Sequence, residues 1–141
     1  MKKRFIVAAG MFGFALAALS VWGQAGPTTK ITSPKNGANF SGDTVKITWE
    51  SIGVKIVVAK EAKLKEEGHF HLFVDRDDFK PGVGIPPGIP EIIHTEKSSY
   101  ELKGLKPGPH KVIVVLSYNN HVPWEPLVTA TVTFNTGVKK K

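Results

Sequence analysis

Between residues 26 and 136 turn-forming residues interrupt the chain at short intervals, and the pieces between them are β-branched and alternate apolar with polar side chains. This period of two is the strongest constraint on the fold. Successive side chains on a strand point to opposite faces, so such a piece has one dry face and one wet one, whereas a helix needs a period of 3.6. Residues 44–50 show it best. Val45, Ile47 and Trp49 take one face, and Thr44, Lys46, Thr48 and Glu50 take the other. Further strands are expected at 31–33, 54–59, 69–74, 92–95, 98–102, 110–118 and 128–134. Residues 60–67 are charged and helix-forming but too short for an independent helix, so they read as a connection with at most one helical turn. Residues 75–91 contain four Pro and three Gly, which predicts a long exposed loop of functional or mobile character.

Seven or so short antiparallel strands in about 115 residues, with no alternation of strands and helices, predict an all-β, immunoglobulin/fibronectin-like two-sheet sandwich. Its core is expected to contain Val45, Ile47, Trp49, Phe70, Leu72, Val112, Val114, Val132 and Phe134. Two phrases carry a resemblance. Ile31-Thr32-Ser33-Pro34-Lys35-Asn36-Gly37-Ala38 followed by Val45-Lys46-Ile47-Thr48-Trp49 is similar to the first two strands of bacterial immunoglobulin-like domains. Tyr100-Glu101-Leu102-Lys103-Gly104-Leu105-Lys106-Pro107-Gly108 resembles the corner before the sixth strand of fibronectin type III domains.

The ends of the chain speak to location. Lys2-Lys3-Arg4 precedes an uncharged run at 5–22 and the small residues Gly23 and Ala25, so 1–25 is expected to be a cleaved signal peptide. If it stays uncleaved, this segment is the membrane contact. The protein is then exported, periplasmic or extracellular, with a sandwich domain at 26–136 and a disordered basic tail at 137–141. The chain has no Cys. That excludes a lipoprotein anchor and disulfides, leaving core packing and ligands to stabilise the exported domain. Losing the three basic residues of the signal lowers the formal charge from +7 to +4, and Lys139-Lys140-Lys141 supplies three of the remaining charges. A nearly neutral folded part excludes nucleic acid as a partner.

Chemistry rests on five histidines. His69 and His71 are two apart on an expected strand, so they share a face opposite Phe70, Leu72 and Val74, and such a pair can present two imidazole nitrogens to one metal. His94, His110 and His121 are the candidate further ligands, with Asp75, Asp77 and Asp78 as possible oxygen donors. Competing with ligation, the two rings of the pair can be solvent-facing polar residues, and His110, just after the Leu105-Lys106-Pro107-Gly108 corner, can tie that corner by hydrogen bonds. Imidazole suits Cu(II) and Zn(II), and both Met residues lie in the signal, so no thioether is present to favour Cu(I).

Gly68-His69-x-His71-Leu72-x-Val74-Asp75, then Leu105-x-Pro107-Gly108-x-His110, then Asn120-His121 resembles uncharacterised exported bacterial domains of unknown function. Their pattern is Gly-His-His-His-Leu-Leu-x-Asp, Leu-Pro-Pro-Gly-x-His and a later His. The resemblance spans about 68–134, with Phe70 standing where that family often has its middle His, and it implies an exported β domain with a histidine cluster and no established activity. A metal-dependent cupin-type enzyme is the rival. Lys63 where that family has Gly, Asp75 where it has Glu, and the spacing of Pro107-Gly108-Pro109-His110 all depart from its motifs.

There is no Gly-x-Ser-x-Gly elbow or phosphate-binding loop, so a catalytic role is not expected. The reading is a non-catalytic binding domain with a histidine-cluster site for Cu(II) or Zn(II). The alternative is an interaction module that binds an envelope protein or glycan through the 75–91 loop and Trp124, with the histidines incidental.

Overall fold

The computed structural model describes residues 26–59 and 66–139. The expected signal at 1–25, most of the connection at 60–67 and the last two lysines lie outside the described residues. Nine strands follow in chain order: β1 (Thr28–Ser33), β2 (Ala38–Asn39), β3 (Val45–Ile52), β4 (Lys55–Ile56), β5 (Glu67–Val74), β6 (Ile92–Thr95), β7 (Ser99–Leu102), β8 (Gly108–Tyr118) and β9 (Thr129–Thr136). A three-stranded sheet runs β1-β3-β7, and a six-stranded sheet runs β2-β9-β8-β5-β4, with β6 also paired to β5. The expected two-sheet all-β architecture is what forms.

The alternation seen at 44–50 becomes β3, with Val45, Ile47 and Trp49 buried and Lys46 and Glu50 exposed. Facing it across the sandwich are Phe70 and Leu72 of β5, Val112, Val114 and Leu116 of β8, and Val132 and Phe134 of β9. All nine core residues expected from the sequence are buried. Trp49 meets Phe70 edge to face, with ring centroids 5.5 Å apart, a favoured aromatic geometry.

Three expectations need correction. Where seven or so antiparallel strands were expected, nine form among the described residues, and two of the pairings, β2 with β9 and β4 with β5, are parallel. Each of these two is only two residues long, too short for any side-chain period to reveal. The piece at 54–59 shrinks to Lys55–Ile56, while Glu67, expected in the connection, opens β5. Finally, the folded chain runs past 136: Gly137 N–H donates to Gly42 O (3.4 Å) and Val138 N–H to Phe40 O (3.0 Å).

The larger sheet is dry on both faces at its centre. Every residue of β5 is buried, as is the run Val112 to Leu116 of β8. The inner face carries the main core. On the outer face Phe73, Ile113 and Val115 form a second cluster with Ile85, and Phe79 and Ile92 pack against it. Residues 75–91 supply Phe79 and Ile85, so this segment is a strap folded across the outer face rather than a merely exposed loop, although Val83 remains exposed. Arg76 secures it at both ends, with its Nε donating to Asp78 Oδ1 (2.7 Å) and its guanidinium 3.7 Å from Glu91.

Candidate metal centre

His69, His71 and Phe73 project from the outer face of β5. The register places His94 of β6 opposite His71 and Ser117 of β8 opposite His69. His121 comes from the turn after β8, which is closed by Tyr118 N–H to Val122 O (2.8 Å) and His121 N–H to Tyr118 O (3.0 Å). Its backbone is left-handed, with φ 61°, a conformation uncommon outside glycine. The strap holds it there, since Ile85 N–H donates to His121 O at 2.8 Å.

Four imidazoles therefore meet on one face. The ring centroids of His69 lie 4.8 Å from His71, 4.4 Å from His94 and 4.8 Å from His121. Those of His71–His94, His71–His121 and His94–His121 are 5.2, 5.4 and 5.1 Å apart. Six nearly equal distances describe a tetrahedron, because a square would make two of them about 40% longer than the other four. One ring nitrogen from each histidine lies within 4.8 Å of the other three. His121 Nδ1 and His71 Nε2 are 3.2 Å apart, close to the roughly 3.3 Å edge of a tetrahedron whose metal–nitrogen bonds are 2.0–2.1 Å.

His69 and His71 are fully buried, His121 is partly buried and His94 is exposed. Solvent thus reaches the cluster from the His94 side. His71 Nδ1 pairs with Ser117 Oγ at 3.1 Å, leaving Nε2 turned toward His121. Among the described residues neither ring nitrogen of His69 is within hydrogen-bond geometry of a partner, although both are buried. The Asn119 carboxamide lies beside that ring and favours its charged form, but it too is buried without a formed hydrogen bond. Burial pushes the His69 pKa down to about 4, assisted by repulsion from His94 and His121. Burial also lowers His71 to about 3, with His69, His94 and His121 adding to it, and His121 moves down through burial and His94. Neutral imidazoles with free lone pairs are the form a metal requires.

The cluster unites His69, His71, His94 and His121, and it excludes His110. Alternation along β8 turns His110 to the opposite face from Ser117, and the two lie seven positions apart, roughly 23 Å of strand. His110 instead ties the corner before β8. Its Nδ1 donates to Asp75 Oδ2 (2.7 Å) and its Nε2 to Lys106 O (2.7 Å), while Asp75 Oδ1 accepts from Lys111 N–H (2.8 Å). Burial lowers the His110 pKa, but the Lys106 carbonyl and the Asp75 carboxylate outweigh it and raise the value overall. The possible oxygen donors are likewise engaged elsewhere: Asp75 with His110, Asp77 with Lys111 and Asp78 with Arg76.

Trp124 is buried and stacked on Tyr118, with ring centroids 4.3 Å apart. It plugs one end of the sandwich and offers no exposed platform. Gly68 makes this possible, since a Cβ there would stand 2.4 Å from Ser117 O and 3.1 Å from the Trp124 ring. Sequence reasoning missed Ser117, Asn119 and Ile85 as supporting residues. Ser117 had a usable signal, being a polar residue on the heels of the unbroken apolar run Val112-Ile113-Val114-Val115-Leu116. Ile85, between Gly84 and Pro86, had none.

An immunoglobulin/fibronectin-like sandwich with a four-histidine cluster on the outer face of its larger sheet is the class that fold and site define. Residues 45–137 match the family described as domain of unknown function DUF4399, and the chain belongs to that family. Among solved structures it is similar to the fibronectin(III)-like modules of Clostridium thermocellum CbhA, at 12% identity and TM-score 0.45, over 80% of this chain and 100% of that one. No curated protein matches the chain.

Proposed function

We propose that this is an exported, non-catalytic domain that binds one transition-metal ion, Cu(II) or Zn(II), through His69, His71, His94 and His121. The observation that carries the reading is His69: a buried imidazole with both nitrogens unpartnered among the described residues, its ring centroid 4.4 to 4.8 Å from those of three other imidazoles. A buried polar group without a partner costs about 1–3 kcal/mol, and a metal taking one nitrogen removes part of that cost. The Ser117 hydroxyl beside His71 Nδ1 supports the same reading, because ligating histidines commonly have their second nitrogen fixed by a neighbour. Export through 1–25, with cleavage ahead of the sandwich domain, completes the proposal.

The alternative of a protein- or glycan-binding module loses one of its two elements with the burial of Trp124. Elemental analysis of protein purified without a His tag tests the metal reading. One equivalent of copper or zinc is expected, and saturation at about 100 times the dissociation constant should stabilise the fold by about 2.7 kcal/mol. Replacing both His69 and His71 by Gln should abolish the binding and the stabilisation. Equal, weak binding by both proteins would overturn the reading.

A further inference from the structure

We infer that the four-histidine centre holds copper as Cu(I) in preference to Cu(II), because it offers four neutral ligands whose rings form a tetrahedral array, with no carboxylate among the described residues bonded to any of them. The inference rests on the four-histidine site proposed above, keeps its ligand set, and departs from that reading by making Cu(I) rather than Cu(II) the favoured state of bound copper.

Two independent observations carry it. The first is charge. Among the described residues the four rings are hydrogen-bonded only to Ser117 and to one another, and the nearby Asn119 is neutral as well. The carboxylates of the outer face serve other cations: Asp77 pairs with Lys111, Asp78 and Glu91 with Arg76, and Glu67 with Lys55. Two of the four ligands are fully buried. The cost of taking an ion out of water rises with the square of its charge, so a dication in this site costs several times what a monocation does, and no ligand carries a negative charge to set against that difference. The second observation is shape. Six ring-centroid distances between 4.4 and 5.4 Å give a near-regular tetrahedron, the arrangement a filled d shell accepts, whereas Cu(II) favours a tetragonal set. Soft sulfur ligands ordinarily select Cu(I); here the lack of compensating charge and the tetrahedral array take that part.

The test uses the full chain, stripped of metal, under anaerobic conditions. Cu(I) affinity is read by competition with bathocuproine disulfonate, Cu(II) affinity by competition with nitrilotriacetate, and Zn(II) is titrated in parallel. The ratio of Cu(I) to Cu(II) affinity should exceed that of aqueous copper by at least about 100-fold, equivalent to a reduction potential about 120 mV higher. Asn119→Asp, which is isosteric and puts a negative charge beside His69, should lower the ratio at least about tenfold, whereas Ser117→Ala should leave it within about threefold. A ratio no higher than that of aqueous copper, with a tetragonal Cu(II) spectrum, overturns the inference and leaves the metal site standing. Failure of copper and zinc alike to bind at one equivalent, or binding that survives replacement of His69 and His71 by Gln, overturns the site itself. If Asn119→Asp does not fold, the ratio in the unmodified protein decides alone.

Discussion

Lowering the pH of the metal-free protein should cost stability in an amount set by His69 and His71. Burial and neighbouring rings hold the two folded-state pKa values down to about 4 and about 3, against 6.5 in the unfolded chain. The sign follows from proton counting. Below pH 6.5 the unfolded chain binds protons at these two positions and the folded chain does not, so acid favours unfolding until the folded values are reached. At pH 5 the unfolded rings are about 1.5 pH units below their pKa, which amounts to about 2 kcal/mol for each histidine and about 4 kcal/mol for the pair relative to pH 7.5. A loss of that size is a large fraction of the stability of an ordinary domain. His110 works the other way. Its raised pKa adds stability that is present in acid and disappears as the pH climbs through its folded value.

The assay is therefore a difference. Urea denaturation at several pH values between 7.5 and 5, in a chelating buffer, is compared between the native chain and the variant with Gln at both 69 and 71, which keeps His110. The native chain should lose about 4 kcal/mol more than the variant over this range. Parallel pH profiles would show that both rings accept protons while folded, and the argument from burial would then be wrong.

Four further outcomes follow. Trp49→Ala or Phe134→Ala should each cost about 3–5 kcal/mol in chemical denaturation, since both side chains are fully enclosed in the main core. Gly68→Ala should cost more than about 2 kcal/mol, because its Cβ would sit 2.4 Å from the Ser117 carbonyl oxygen and the backbone must move. His110→Gln should cost about 2 kcal/mol through loss of charge-assisted bonds to Asp75 and Lys106, without altering metal stoichiometry; a change in stoichiometry would return His110 to the ligand set. Ile85→Ala should cost about 2 kcal/mol and speed metal release, measured by chelator-driven dissociation, because the strap that steadies His121 is loosened.

Much of the fold was legible because period two is a local signal. Val45, Ile47 and Trp49 declared the inner face of β3 without reference to anything distant. What local patterning could not show was pairing. The two-residue strands β2 and β4 exist only because β9 and β5 offer them main-chain hydrogen bonds, and no two-residue segment carries a period. The site was half legible for the same reason. That His69 and His71 share a face follows from alternation, but the arrival of His94 depends on the β5–β6 register, and that of His121 on a left-handed turn held by a residue 36 positions earlier in the chain.

The decisive fact about the histidine pair was present in the sequence in another form. An alternating strand has a wet side, and on that premise His69 and His71 face solvent. Yet Leu72-Phe73-Val74 and Val112-Ile113-Val114-Val115-Leu116 are unbroken apolar runs, and such runs belong to strands covered on both sides. Phe73, Ile113 and Val115 could not all face water, so something had to lie over the outer face, and the strap from 75 to 91 brings Phe79 and Ile85 to it. Once the face is covered, the two imidazoles cannot act as solvated polar residues. They must be neutral, find partners or hold an ion, and the proposal of a metal site rests on His69, which among the described residues has neither nitrogen within hydrogen-bond geometry of a partner and has three other imidazoles beside it.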